Sequence, residues 1–195
     1  MIYGAAFSWN QEEIAYDEIN RQISLLEYGD TAGRTVDILA KVPEQSLFGW
    51  RDAVVFYEKT ARKRVFKEGE EELPELLLAD AGKADSMVEQ ADRALQTLAT
   101  QMKQNAVFMD RQARALVGLF DMTVEAVRLW NEIGAAVAHE NQGAALHPEE
   151  TYALAGRLER WFMAFKAQWR SIGREGDLCH IAKIIFWYAD RLRCK

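Results

Sequence analysis

The run Leu178–Arg193, LCHIAKIIFWYADRLR, decides the fold. Leu178, Ile181, Ala182, Ile185, Tyr188 and Leu192 recur at the i, i+3, i+4, i+7 spacing of one helix face. Ile184 and Phe186 widen that stripe until little of the helix is polar, and a helix apolar nearly all round is one that a core surrounds. Lys183, Asp190 and Arg191 mark its wet edge. Trp187 sits among them, either capping its own bundle or meeting another surface.

Working outward, the preceding helix opens at Pro148, followed by Glu149 and Glu150, whose charges suit a helix N-terminus. Leu154, Leu158, Trp161, Phe162, Phe165 and Trp169 predict its inner face. Gly173 and Gly176 bracket the turn between these two helices, and Asp177 is the expected cap of the last one. Upstream, Leu116–Ile133 carries two apolar stripes, Leu116, Phe120, Val124, Val127, Trp130 and Leu119, Met122, Ala126, Leu129, Ile133. Two stripes predict burial from two sides and hence a central helix, closed at Asn141-Gln142-Gly143.

Met87, Ala91, Leu95, Leu98 and Met102 form one face of a long helix, with a break expected at Asn105–Asp110 and Asp110 as a cap. Nearer the start, Asn10 is a candidate cap for a helix with Ala15, Ile19, Ile23 and Leu26 inward, ended by Gly29. A second short helix is expected over Thr31–Val42, with Val36, Leu39 and Ala40 inward. A third follows a Ser46 cap, with Leu47, Trp50, Val54, Tyr57 and Ala61 aligned. The sum is an all-α bundle of six or seven helices.

One segment departs from that pattern. Ile2–Trp9 is a short apolar run that reads as a buried strand, or alternatively as a non-helical arm across the bundle. No strand of similar quality follows it, so the division expected is residues 1–10, a remnant of something longer, and residues 11–195, the helical domain.

Composition narrows function. The 195 residues carry a formal net charge of −6, and the single dense basic run, Arg62-Lys63-Arg64 with Lys67, is diluted by Glu68 and Glu70–Glu72. Nucleic acid is therefore not an expected partner. No apolar run approaches the ~20 residues of a membrane helix, so no membrane partner is expected either. Cys179 and Cys194 read as reduced thiols, and with no recognisable signal peptide the expected location is cytoplasmic.

Candidate chemistry is sparse. His139, His147 and His180 offer no Glu-x-x-His pair, so neither a metal site nor a cofactor is expected. Cys179 and His180 are neighbours on a helix and point about 100° apart, which defeats a nucleophile–base pair. The residues themselves show a helical module with no catalytic set.

Three stretches nevertheless resemble a family. They are Tyr3-Gly4-Ala5-Ala6-Phe7-Ser8-Trp9, then Leu25-Leu26-Glu27-Tyr28-Gly29-Asp30 with Phe48-Gly49-Trp50-Arg51-Asp52-Ala53-Val54, and the ending Trp187–Arg193. Together they resemble the C-terminal region of family-20 glycoside hydrolases, the exo-β-N-acetylglucosaminidases (β-hexosaminidases) with a helical domain behind the barrel. The resemblance implies that Ile2–Trp9 is the last strand of a (β/α)₈ barrel. It implies that Trp9 stacks on a terminal β-linked N-acetylglucosamine, and that Glu12, in place of the Glu many members carry one residue earlier, binds sugar hydroxyls. The implied catalytic Asp–Glu pair belongs to earlier strands outside this chain. The expected role is then a non-catalytic domain supporting the barrel, its principal partner, with homodimer contacts as a second role. The alternative is a free-standing helical protein-interaction module.

Overall fold

The computed structural model describes residues 15–67, 72–144, 146–172, 176 and 178–194. The strand reading of Ile2–Trp9, the Asn10 and Asp177 caps, and Gly173 lie outside the described residues. Within them the chain is all-α, with no strand. The helices are α1 (Tyr16–Tyr28), α2 (Thr35–Lys41), α3 (Trp50–Thr60), the single turn α4 (Glu75–Leu78), α5 (Ala81–Asn105), α6 (Leu116–Asn141), α7 (Pro148–Ile172) and α8 (Leu178–Arg193). They fall into two compact units, one of residues up to Gln45 with Arg93–Val124, the other of Ser46–Asp92 with Glu125 onward.

The first unit is built on a buried carboxylate. Helix α1 turns Ile19 and Ile23 inward and ends where Gly29 takes the left-handed conformation (φ 56°), which glycine adopts without a Cβ penalty. Asp30 follows, fully buried. Its Oδ1 accepts from the Ala32 amide at 2.9 Å, and its Oδ2 accepts at 2.8 Å from the amides of Arg34 and Thr35, the Thr35 hydroxyl and the Asn105 side-chain amide. The carboxylate takes up the Arg34 and Thr35 amides, which a helix opening at Thr31 would need for its own first bonds. Helix α2 therefore starts at Thr35, and its buried residues are Thr35 and Ile38, with Val42 just beyond. The inward set expected from spacing is corrected accordingly: Leu39 and Ala40 are exposed, and Leu26 on α1 is 77% exposed.

The rest of this unit follows the sequence closely. Ala91 in the second unit and Leu95, Leu98 and Met102 here are buried along one face of α5, which ends at Asn105. A turn of 3₁₀ helix, Ala106–Phe108, makes the expected break. Asp110 Oδ1 then accepts from the Ala113 amide at 2.7 Å and leads the chain into α6.

The second unit holds the larger core, into which α6 delivers Leu129, Trp130, Ile133 and the run Ala135–Ala138. Residues 129–131 and 133–138 are all buried; of the two predicted stripes Phe120, Val124, Leu129, Trp130 and Ile133 are buried, Leu119, Met122, Ala126 and Val127 are partly covered and Leu116 is exposed. Gly134 lies inside that run. A Cβ there would stand 2.6 Å from both Leu76 Cδ2 and Phe48 Cβ, so the glycine permits Phe48 and α4 to approach the helix. Asn131, also buried, accepts from the amides of Leu47 and Phe48 and anchors the loop before α3. Helix α3 is capped by Asp52, whose carboxylate accepts from the Gly49 amide at 2.8 Å, rather than by Ser46. Trp50 and Ala61, expected inward, are exposed.

Helices α7 and α8 pack antiparallel, with Phe162 edge-on to Phe186 and Arg193 paired with Glu159. Helix α8 buries Leu178, Ile184, Ile185, Tyr188, Ala189 and Leu192. Among the described residues it is covered on one side: Phe186, expected to extend the buried stripe, is 42% exposed, and Trp169 of α7 is 41% exposed. Trp187 packs on Tyr57 and Tyr188 at 5.3 and 4.8 Å between ring centroids. It caps its own bundle. No helix among the described residues is long and apolar enough to cross a membrane.

Candidate functional site

Three helices of the second unit leave a groove of about 470 Å³ between them. Helix α6 supplies Glu132, Ala135, Ala136 and His139, spaced i, i+3, i+4, i+7, so all four share one face. Helix α7 supplies Glu150, Leu154 and Arg157 by the same rule, and Asp85 and Val88 come from α5. The walls are apolar and the rim is charged.

The rim groups hold one another. His139 Nε2 lies 2.8 Å from Asp85 Oδ1, the imidazole largely covered and the carboxylate open to solvent. Arg157 donates to Glu132 at 2.7 Å and to Glu125 at 2.9 Å. Burial disfavours the charge of Arg157, but its hydrogen bonds to Glu132 and Glu125 outweigh that and raise its pKa above the ordinary guanidinium value. This forked pair fixes α7 against α6 and keeps Arg157 permanently charged at the groove.

An Asp–His pair orients an imidazole in many reaction centres, but the chemistry also needs a nucleophile or a substrate proton within reach. Among the lining residues the one hydroxyl, Thr151, is buried and already donates to the Pro148 carbonyl at 3.0 Å. No group of three or more metal-ligating side chains occurs among the described residues. His147 and His180 are exposed, and Cys179 and Cys194 are free and exposed.

The residues singled out by the family resemblance for sugar contact, Trp9 and Glu12, lie outside the described residues. The stretches that follow them do not line the groove. Asp30 anchors the first unit, while Phe48, Ala53 and Tyr188 interlock in the second. Phe48, Trp130 and Tyr188 pack with centroids 5.3–6.4 Å apart, and Arg191 lies over the rings of Phe56 and Trp187 at 5.4 and 5.3 Å while pairing with Glu140. Spacing along one helix could have paired Glu132 with His139, but Asp85 is 54 residues away in sequence and carries no local sign of its role. Compared with protein-family models, with curated proteins and with solved structures, the chain matches none.

Proposed function

We propose that this chain is the helical C-terminal domain of a glycosidase resembling the family-20 exo-β-N-acetylglucosaminidases, a support for the catalytic barrel without a complete reaction centre of its own. The observation that carries this reading is where the resembling residues fall. Gly29 and Asp30 build the turn that organises the first unit. Phe48, Gly49, Asp52 and Ala53 form the cap and core of α3, and Tyr188 fastens α8 to it. Part of the resemblance thus falls on positions that build the domain, while Leu25, Leu26, Glu27, Trp50 and Arg51 of the same stretches are exposed. Trp9 and Glu12 are the proposed sugar contacts at its border with that barrel.

The test is hydrolysis of p-nitrophenyl N-acetyl-β-glucosaminide by this chain alone and mixed with a separately produced barrel. The expected result is no turnover alone and a raised rate on mixing. Equal rates for the barrel with and without the chain would sink the reading. In that case the second reading, a free-standing interaction module, gains from the groove between α5, α6 and α7, whose apolar walls and charged rim suit one apolar side chain of a partner with a charge beside it.

A further inference from the structure

The groove between α5, α6 and α7 differs from end to end. Glu132 and His139 on α6, like Glu150 and Arg157 on α7, stand two helical turns apart, about 10.5 Å. Only a short loop separates Asn141 from Pro148, so the two helices are antiparallel, and the bond from Arg157 to Glu132 sets their register. Glu132 with Arg157 therefore marks one end of the groove. His139 with Glu150 marks the other, where Asp85 joins them. Between the ends lie Ala135, Ala136 and Leu154, an apolar floor.

Both ends are negative, and they differ in what is left to bind. At the first, Glu125 and Glu132 take up the Arg157 guanidinium. At the second, two carboxylates face a single imidazole, so a negative charge remains there even when His139 is protonated. Asp85 pairs with His139, and Glu150 has no ion-pair partner among the described residues. The opening of α7 and the close of α6 meet at this end, and their dipoles offset each other. Asp85 and Glu150 are both exposed, so a ligand reaches them without displacing the core.

We infer that this groove is a binding site for a small primary amine on an unbranched apolar chain, the ammonium at the Asp85 and Glu150 end and the chain along Ala135, Ala136 and Leu154. A volume of about 470 Å³ lies in the range of small-molecule sites, and the floor removes the chain from water. An ammonium gives Glu150 a charge-assisted hydrogen bond, whereas a carboxylic acid or a phosphate meets like charge at both ends. The inference is independent of the glycosidase reading, since the groove lies wholly within the second unit and its test involves no glycoside.

The experiment titrates the full chain with n-hexylamine into the millimolar range and follows the methyl resonances of Ala135, Ala136 and Leu154. n-Hexanol, which keeps the chain without the charge, and hexanoate, which reverses the charge, are titrated in parallel. The amine is expected to shift the three methyls saturably, and the alcohol to bind about tenfold more weakly, the loss of one hydrogen bond to a charged group. Hexanoate should bind more weakly still. Asp85→Asn with Glu150→Gln, both at exposed positions, should bring the amine down to the affinity of the alcohol. The alcohol uses only the floor, so it should bind wild type and variant alike; if the variant loses it, the wild-type series decides alone. Equal binding of the three compounds, an advantage of the amine that survives the double variant, or no saturable shift with the amine would each overturn the assignment. Tighter binding of Nα-acetyl-lysine methylamide than of n-hexylamine would overturn it too, and give the groove to a lysine of a partner protein.

Discussion

The hydroxyl of Tyr188 donates to the backbone carbonyl of Ala53 at 2.9 Å, joining α8 to α3 across 135 residues of sequence. Both residues are buried. Burial, with the Asp52 carboxylate adding to it and Arg191 opposing, drives the Tyr188 pKa far above the usual phenol range, so the hydroxyl remains a donor. Tyr188→Phe removes the donor and keeps the ring, and should cost about 1 kcal/mol, whereas Tyr188→Ala should cost about 3–5 kcal/mol. Urea unfolding of the two variants separates bond from ring.

Gly134 is expected to be among the least replaceable residues of α6. Alanine favours a helix interior by about 1 kcal/mol over glycine, so propensity alone predicts that Gly134→Ala stabilises. The 2.6 Å approaches of Phe48 and Leu76 reverse the sign, and overpacking of this kind costs about 1–3 kcal/mol. A rise in melting temperature would show that the core can shift to admit a methyl group.

Burial grades the aromatic face of α7. Phe162 is 2% exposed, and Phe162→Ala should lose about 3–5 kcal/mol. Trp161 is half-buried, stacked on Phe165 with centroids 5.3 Å apart, so Trp161→Ala should lose less than Phe162→Ala. The reverse order would place the core of this helix on the wrong residue.

Asp30 gives the first unit a dependence on acid. Burial alone would raise its pKa, but hydrogen bonds from Asn105, Thr35 and Arg34 more than offset that and hold it below the ordinary aspartate value. A carboxyl depressed in the folded state contributes stability that is present above its unfolded pKa and lost as pH falls through the folded one. Stability of the wild-type chain should therefore fall below about pH 4, and Asp30→Ala, which strands several donors, should cost on the order of 3 kcal/mol at neutral pH. An Asp30→Ala variant with an unaltered acid limb in its stability profile would assign that limb to other carboxylates.

Periodicity read the long helices well because their buried runs extend over many turns. The burial of α6 followed from residue spacing, and the break after Asn105 from the need of two long helices to fold back on each other. Short elements were less legible. Asp30 diverts the amides of Arg34 and Thr35, so α2 begins four residues later than its apolar pattern suggests and a different face turns inward. Trp50 and Trp169 fit a helical stripe but stand at its margin, where angular spacing cannot distinguish core from rim. The groove pairing of His139 with Asp85 and the hydrogen bond of Asn105 to Asp30 depend on residues brought together from distant parts of the chain. No local spacing encodes them.

The neutral donors around Asp30 have a consequence for ionic strength. No cation stabilises this carboxylate among its hydrogen-bond partners, and a buried group is poorly reached by mobile ions. The ties of the second unit are of another kind: Arg157 with Glu125 and Glu132, Arg191 with Glu140, and Arg193 with Glu159 are all partly open to solvent. Added salt should loosen those pairs and leave the Asp30 turn untouched. Salt thus reaches the ties of one half of the chain while the turn that organises the other half does not respond to it.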